Sequence, residues 1–163
     1  MAGQPDKTPA PRPMHNSLIE MTELVMPNDT NPHGTLSGGR LMHWIDVAGA
    51  MAAMRHARRR VVTVAIDEVA FRAPIPQGHM VLLEAIVTCV GRTSMEVRVE
   101  VHGEDPVSGK VSHTTTAHLV FVALEQGEPV EVPGLLPESP EEEALHERAL
   151  ARRGRRLELR AQH

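Results

Sequence analysis

From Gly38 to His56 the chain reads Gly-Gly-Arg-Leu-Met-His-Trp-Ile-Asp-Val-Ala-Gly-Ala-Met-Ala-Ala-Met-Arg-His, a helical stretch apolar on almost every side with one carboxylate, Asp46, near its middle. A helix of that composition is expected to be buried, with the rest of the chain wrapped around it. A buried carboxylate without a partner costs several kcal/mol or takes up a proton. Asp46 is therefore expected to be paired or chemically employed. The loop ahead of it, Asn31-Pro32-His33-Gly34-Thr35-Leu36-Ser37-Gly38-Gly39, ends in two glycines that would bare the amide groups of the helix start. Such an end attracts anions and developing negative charge.

The 163 residues have room for one compact core. Tyr is absent, and Trp44, Phe71 and Phe121 are the only aromatics, so that core must be built from aliphatic residues and the nine Met. A net charge of −4 and few stacking side chains argue against a nucleic-acid partner. The lone Cys89 lies in an apolar run and reads as a small buried hydrophobe. Neither a secretory signal nor a segment long enough to cross a bilayer is evident, so a cytoplasmic protein with no membrane partner is expected.

Along the chain, residues 1–16 are Pro-rich and are expected to be disordered. Ser17 to Met26 reads as a strand. After Arg58-Arg59-Arg60 comes a β-branched run interrupted at Asp67-Glu68, which suggests a bulge or a strand leaving the core. Met80 to Val90 is a further apolar run, ended by Gly91-Arg92-Thr93. In the next strand Met95, Val97, Val99 and Val101 alternate with Glu96, Arg98, Glu100 and His102, the pattern of a sheet with one wet face. A hairpin loop then leads into a strand from Lys110 to Leu124. In the tail, Ser139 as N-cap, Pro140 at the first position, three glutamates and then arginines predict a surface helix stopped by Gly154. Its arginines suit the helix dipole better than they suit an RNA arm. One buried helix among long strands gives an α+β arrangement.

Four segments in this order, Asn31 to Gly39, Trp44-Ile45-Asp46, Asp67 to Pro74 and Gly91 to Val97, together resemble the acyl-CoA thioesterases of the hotdog fold, over roughly Ser17 to Pro140. The likeness is nearest to bacterial short acyl-CoA hydrolases related to the cytosolic brain-type enzymes. The resemblance implies an antiparallel sheet wrapped around a long central helix, with the hotdog domain over 17–137 and a C-terminal surface helix and tail over 138–163. It also implies dimers joined by sheet extension, often three dimers in a hexamer, and active sites between subunits. Asp46 then matches the catalytic acid, and the Asn31 to Gly39 loop of the neighbouring subunit matches the segment that holds the thioester carbonyl. Arg92, Thr93 and Ser94, with Thr63 in the strand near Val62 to Ala65, resemble the stretch that contacts coenzyme A. Val47 and Ser37 depart from the family pattern, where an acidic residue and a Phe or His are common.

Thioester hydrolysis needs an activated water and a place for the charge that grows on the carbonyl oxygen. Asp46 could accept a proton from that water or attack directly, and general-base help is worth roughly a hundred- to ten-thousand-fold. Amides around Gly34 and Gly39 would stabilise the oxyanion, one donor contributing about 3 kcal/mol. Asn31 could position the water or the carbonyl, and His33 could fix the loop. Arg58 and Arg59 are equally readable as partners for coenzyme A phosphates or as a solvated helix end. His43 and Asp46 share a helix face, but the ten histidines lack ligand spacing for a metal. Nothing like a nucleophile elbow surrounds Ser94. No cofactor is expected beyond the coenzyme A of substrate and product. A non-catalytic acyl-CoA sensor and an enoyl-CoA hydratase on the same scaffold remain as alternatives.

Overall fold

The computed structural model describes residues 8–67 and 69–163. Its strands and α-helices run β1 (Arg12–Pro13), β2 (Ile19–Leu24), α1 (Gly38–Ala57), β3 (Arg60–Ile66), β4 (Met80–Val90), β5 (Ser94–Glu104), β6 (Val111–Glu125), β7 (Glu128–Pro129), β8 (Leu135–Leu136) and α2 (Pro140–Ala161). The main sheet is antiparallel, in the order β2-β4-β5-β6-β3, with β7 pairing β6. It wraps α1, giving the expected α+β hotdog arrangement.

The helix packs through a stripe of small and apolar residues, among them Leu41, Ile45, Ala48, Ala52 and Ala53, against the alternating inward valines of β5 and the inward face of β6. Gly49 lies where a Cβ would come within 3.1 Å of the Phe121 ring, so this fully buried aromatic is seated on a glycine. The helix is not buried on all sides, as its composition suggests. Only the stripe facing the sheet is, while Met42, Val47, Ala50 and Met51 are half-buried and Met54 is exposed in the single chain. Helix α1 is thus apolar on two faces, and the sheet has length enough to cover one.

Several boundaries differ from the sequence expectation. Residues 1–7 lie outside the described residues, but the segment after them is ordered: Arg12–Pro13 pairs with Leu135–Leu136, Arg12 donates to the His56 carbonyl at 2.8 Å, and Met14 is fully buried. The Pro-rich composition hid this because its order comes from one buried Met and from pairing with residues more than 120 positions away. The β-bulge falls between Thr63 and Ala65, ahead of Asp67, and Glu68 lies outside the described residues. Ser139 caps α2 as expected, its Oγ accepting from the Glu142 amide at 3.1 Å, yet the helix runs through Gly154 to Ala161. Arg152 and Arg156, on either side of Gly154, are anchored to the sheet, which offsets the roughly 1 kcal/mol that a helical glycine costs.

That anchor overturns the wet-face reading of Glu96. Glu96 is 2% exposed beneath α2. Its oxygens accept from Arg152 Nη2 at 2.7 Å, Arg156 Nη1 at 2.8 Å and Thr88 Oγ1 at 2.7 Å. Burial pushes the Glu96 carboxyl up, but these hydrogen bonds outweigh it and hold it below the ordinary glutamate value.

His56 is buried, with Nε2 2.9 Å from the Pro133 carbonyl, and burial holds its pKa below the ordinary 6.5 against that hydrogen bond. The unfolded chain therefore takes up the His56 proton first as pH falls below 6.5, so this residue's contribution to stability is present above that pH and declines below it. Thermal unfolding should show a lower Tm at pH 5.5 than at pH 7.5, and His56→Gln, which keeps a donor for Pro133 but does not titrate, should narrow that difference.

Candidate functional site

Asn31 organises the loop before α1. Its Oδ1 accepts from the amides of His33 (3.0 Å) and Thr35 (3.2 Å), and its Nδ2 donates to Thr35 Oγ1 at 2.9 Å. The Asn31 amide donates to the Thr35 carbonyl at 2.8 Å, and the Gly34 amide donates to the Asn31 carbonyl at 3.1 Å. Gly34 takes φ +77°, a conformation that favours glycine. The loop is tied to the segment after β3 by Leu36 N–H to the Ile75 carbonyl and Gln77 N–H to the Gly34 carbonyl.

This geometry sorts the expected donors. The Gly34 amide is occupied within the loop, so it is not a free oxyanion donor in this conformation. Ser37 caps the helix, its Oγ accepting from Arg40 N at 3.2 Å. Gly38 and Gly39 follow at the exposed helix start, and among the described residues their amides have no acceptor. The His33 side chain is exposed, and what holds the loop there is its backbone amide.

Beside the glycines lies a cleft of about 310 Å³ lined by Asn31, Gly38, Leu41, Phe71, Pro74 and other residues. Phe71, 51% exposed, stands over the Gly38 position. An apolar wall beside free amides suits a ligand with a carbonyl and a hydrocarbon portion.

Asp46 stands elsewhere on α1, seven residues on from Gly39 and about 10 Å along the helix axis at 1.5 Å per residue. It is half-buried, and its Oδ1 accepts from Thr63 Oγ1 on β3 at 2.6 Å. Its Oδ2 has no partner among the described residues. The bulge after Thr63 leaves Val64 outside the ladder, and the Thr63 hydroxyl reaches the helix at Asp46. Sequence reasoning placed Thr63 with coenzyme A. The structure makes it the partner of Asp46, for which the only sequence signal is a lone hydroxyl in a β-branched run.

The arginines disperse. Arg58, in the left-handed region at φ 53°, and Arg59 are exposed at the far end of α1, a helix length of about 30 Å from Gly39. Arg92 is exposed, 3.8 Å from Glu131. The Thr93 carbonyl accepts from Ala123 N–H, and Ser94 closes the turn by accepting from the Gly91 amide. Arg40 pairs with Asp29 at 3.1 Å, away from Asp46. The cluster that sequence reasoning missed is Glu96 with Arg152 and Arg156. Its signal is a pair of arginines four apart on α2 facing one acid of β5.

Within one chain, then, the loop and the carboxylate do not share a cleft. Strand β3 is a free sheet edge on which Val62, Val64 and Ile66 are 43%, 47% and 44% exposed. An edge carrying exposed apolar side chains invites pairing with another chain.

The family model described as Thioesterase superfamily matches residues 33–110. A Bacillus subtilis protein described as the uncharacterized acyl-CoA thioester hydrolase YkhA is 44% identical over 151 residues, covering 92% of this chain and 88% of its own. An acyl-CoA hydrolase from Staphylococcus aureus, solved with butyryl coenzyme A, coenzyme A and coenzyme A disulfide, superposes with a TM-score of 0.86 at 38% identity over 93% of each chain. A hexameric acyl-CoA thioesterase solved in its apo form gives 0.89 at 40% identity, covering 93% of this chain and 98% of that one. Variants of the Staphylococcus aureus enzyme have also been solved in which an Asn, an Asp and a Thr were each replaced by Ala; these lie 15 and then 17 residues apart, the intervals that separate Asn31, Asp46 and Thr63.

Because each bond of the Asn31 side chain is worth about 0.5–1.5 kcal/mol, Asn31→Ala should loosen the loop without unfolding the sheet. Hydrogen exchange should show faster exchange at the His33 and Thr35 amides and unchanged protection in β4 to β6.

Proposed function

As a member of the Thioesterase superfamily, the chain carries the hotdog scaffold of acyl-CoA hydrolases, and we propose that it hydrolyses acyl-CoA thioesters in a homohexamer built from three dimers. The reading rests on one observation above the others: a carboxylate with one oxygen fixed by Thr63 and the other free, in a chain whose free helix-start amides lie too far along the same helix to serve it.

In the proposed assembly two β3 edges pair about a twofold axis, covering Val62 and Val64 and the half-buried apolar face of α1. Asp46 of one subunit then faces the Asn31 to Gly39 loop of the other. Thr63 orients the carboxylate so that its free oxygen accepts a proton from water attacking the thioester carbon. As the tetrahedral intermediate forms, its oxygen gains negative charge against the amides of Gly38 and Gly39 at the positive end of α1. The carbon–sulfur bond then breaks, releasing the carboxylic acid and coenzyme A, whose thiolate takes up a proton. The Phe71 wall receives the acyl group. The loop bonds of Asn31 hold the helix start in place, so its role is to position the amides.

The sensor and hydratase alternatives gain no observation of their own. Wild-type protein should release free thiol from a panel of acyl-CoAs, and Asp46→Ala should lower kcat by a hundredfold or more while leaving the oligomer intact in size-exclusion chromatography. Undiminished thiol release by that variant would overturn the assignment. Double-bond hydration of an enoyl-CoA without thiol release would favour the hydratase.

A further inference from the structure

The large side chains lining the cleft beside Gly38 are Leu36, Leu41, Ile75 and Phe71. The three aliphatic ones are buried, so the core fixes them. Phe71 is the exception, half in solvent, with its ring edge 3.8 Å from where a side chain at Gly38 would begin. The room left for a ligand therefore depends on where Phe71 stands, and its own packing does little to fix that. The backbone on either side of it does. The Ala70 carbonyl accepts from Thr115 Oγ1 at 2.6 Å, and the Arg72 amide donates to the Thr114 carbonyl at 3.0 Å. Both partners belong to a β-bulge: Val101 of β5 pairs with Thr115 and His102 with His113, which leaves Thr114 as the extra residue of β6.

We propose that Thr115 is a positioning residue for acyl-chain selection: its hydroxyl holds the backbone of residues 70–72 so that Phe71 shortens the cleft, and short acyl chains are preferred to long ones. The inference rests on the thioesterase reading and adds a substrate class to it. Thr115 is fully buried, and its hydroxyl donates to the Ala70 carbonyl and to no other acceptor among the described residues. A hydroxyl at that depth costs free energy when unpaired, so the chain is held where Ala70 satisfies it. The second tie, from Arg72, stops the backbone from pivoting about the first. Phe71 lies between the two, which fixes its Cα while the ring projects over the helix start. The cleft so formed, about 310 Å³, is at the low end of the roughly 300–1,000 Å³ of small-molecule sites. None of its lining side chains among the described residues is charged, so it suits a hydrocarbon chain and not an acyl group ending in a second carboxylate.

The test is the ratio of kcat/KM for decanoyl-CoA to that for butyryl-CoA, followed by thiol release. Wild type should favour butyryl-CoA. Thr115→Val and Thr115→Ala both remove the hydroxyl and fill its site differently, so either one that folds serves. The ratio should rise roughly three- to tenfold in them, rise at least as far in Phe71→Ala, and keep the wild-type value in Thr115→Ser, which retains the donor. Hydrogen exchange at the Arg72 amide should be faster in the variants without the hydroxyl and unchanged in Thr115→Ser. A Thr115 that only supports the fold would lower the Tm and reduce both rates in proportion, leaving the ratio where it was. That result overturns the proposal, as does a ratio that Phe71→Ala leaves unmoved or a wild type that favours decanoyl-CoA. If wild type releases thiol from neither substrate, it is the thioesterase reading that fails, and chain selection falls with it.

Discussion

The close approach of α1 to the sheet governs everything else in this molecule. It is possible because the helix presents Ala48, Gly49, Ala52 and Ala53 to the strands, and because Phe121 lies over the Gly49 backbone where a side chain would collide. With the helix axis fixed, its start and its middle are fixed too. Gly38 and Gly39 emerge at one end of the sheet beside Phe71, while Asp46 meets Thr63 on the last strand. Packing of small residues thus sets where chemistry can occur, although none of those residues carries any chemistry.

The same packing leaves half of the helix uncovered. A sheet of five main strands, ending at β3, wraps one face of α1 and stops with an apolar edge in solvent. The uncovered half-helix, the exposed valines of β3 and the separation of Asp46 from the helix-start amides are three consequences of one geometry. Pairing two copies along β3 accounts for all three, and hexameric relatives show that chains of this fold assemble. At the opposite face, α2 closes over the sheet through Glu96, so the two faces are sealed by different means: one by a buried ion cluster within the chain, the other by the proposed second chain.

Much of this was legible in the residues. The apolar helix with one acid, the glycine-rich loop before it and the alternation of β5 led to the α+β arrangement, and four segments in order led to the hotdog family. Local pattern failed where the deciding contact was distant. Glu96 sits in alternation with valines and so reads as solvent-facing; what buries it is a pair of arginines 56 and 60 residues away. Gly154 reads as a stop because its own preference is for ending helices, and it is overruled by anchored arginines on both sides. Met14 lies in a proline-rich segment whose composition gives no sign of the pocket it fills. Resemblance placed Thr63 with coenzyme A, and only the hydrogen bond from its hydroxyl to Asp46, a contact made across 17 residues of chain, shows which way it turns.

Subunit complementation tests most directly whether the carboxylate and the loop act across two chains. Asp46→Ala and Asn31→Ala proteins, each nearly inactive alone, would be co-expressed or unfolded and refolded together. If each site takes Asp46 from one subunit and the loop from its twofold mate, half of randomly formed dimers are mixed and each holds one intact site, so about a quarter of wild-type thiol release should return. If the mixture is no more active than the two variants assayed apart, each site is built from a single chain, and the division of the site between subunits is wrong.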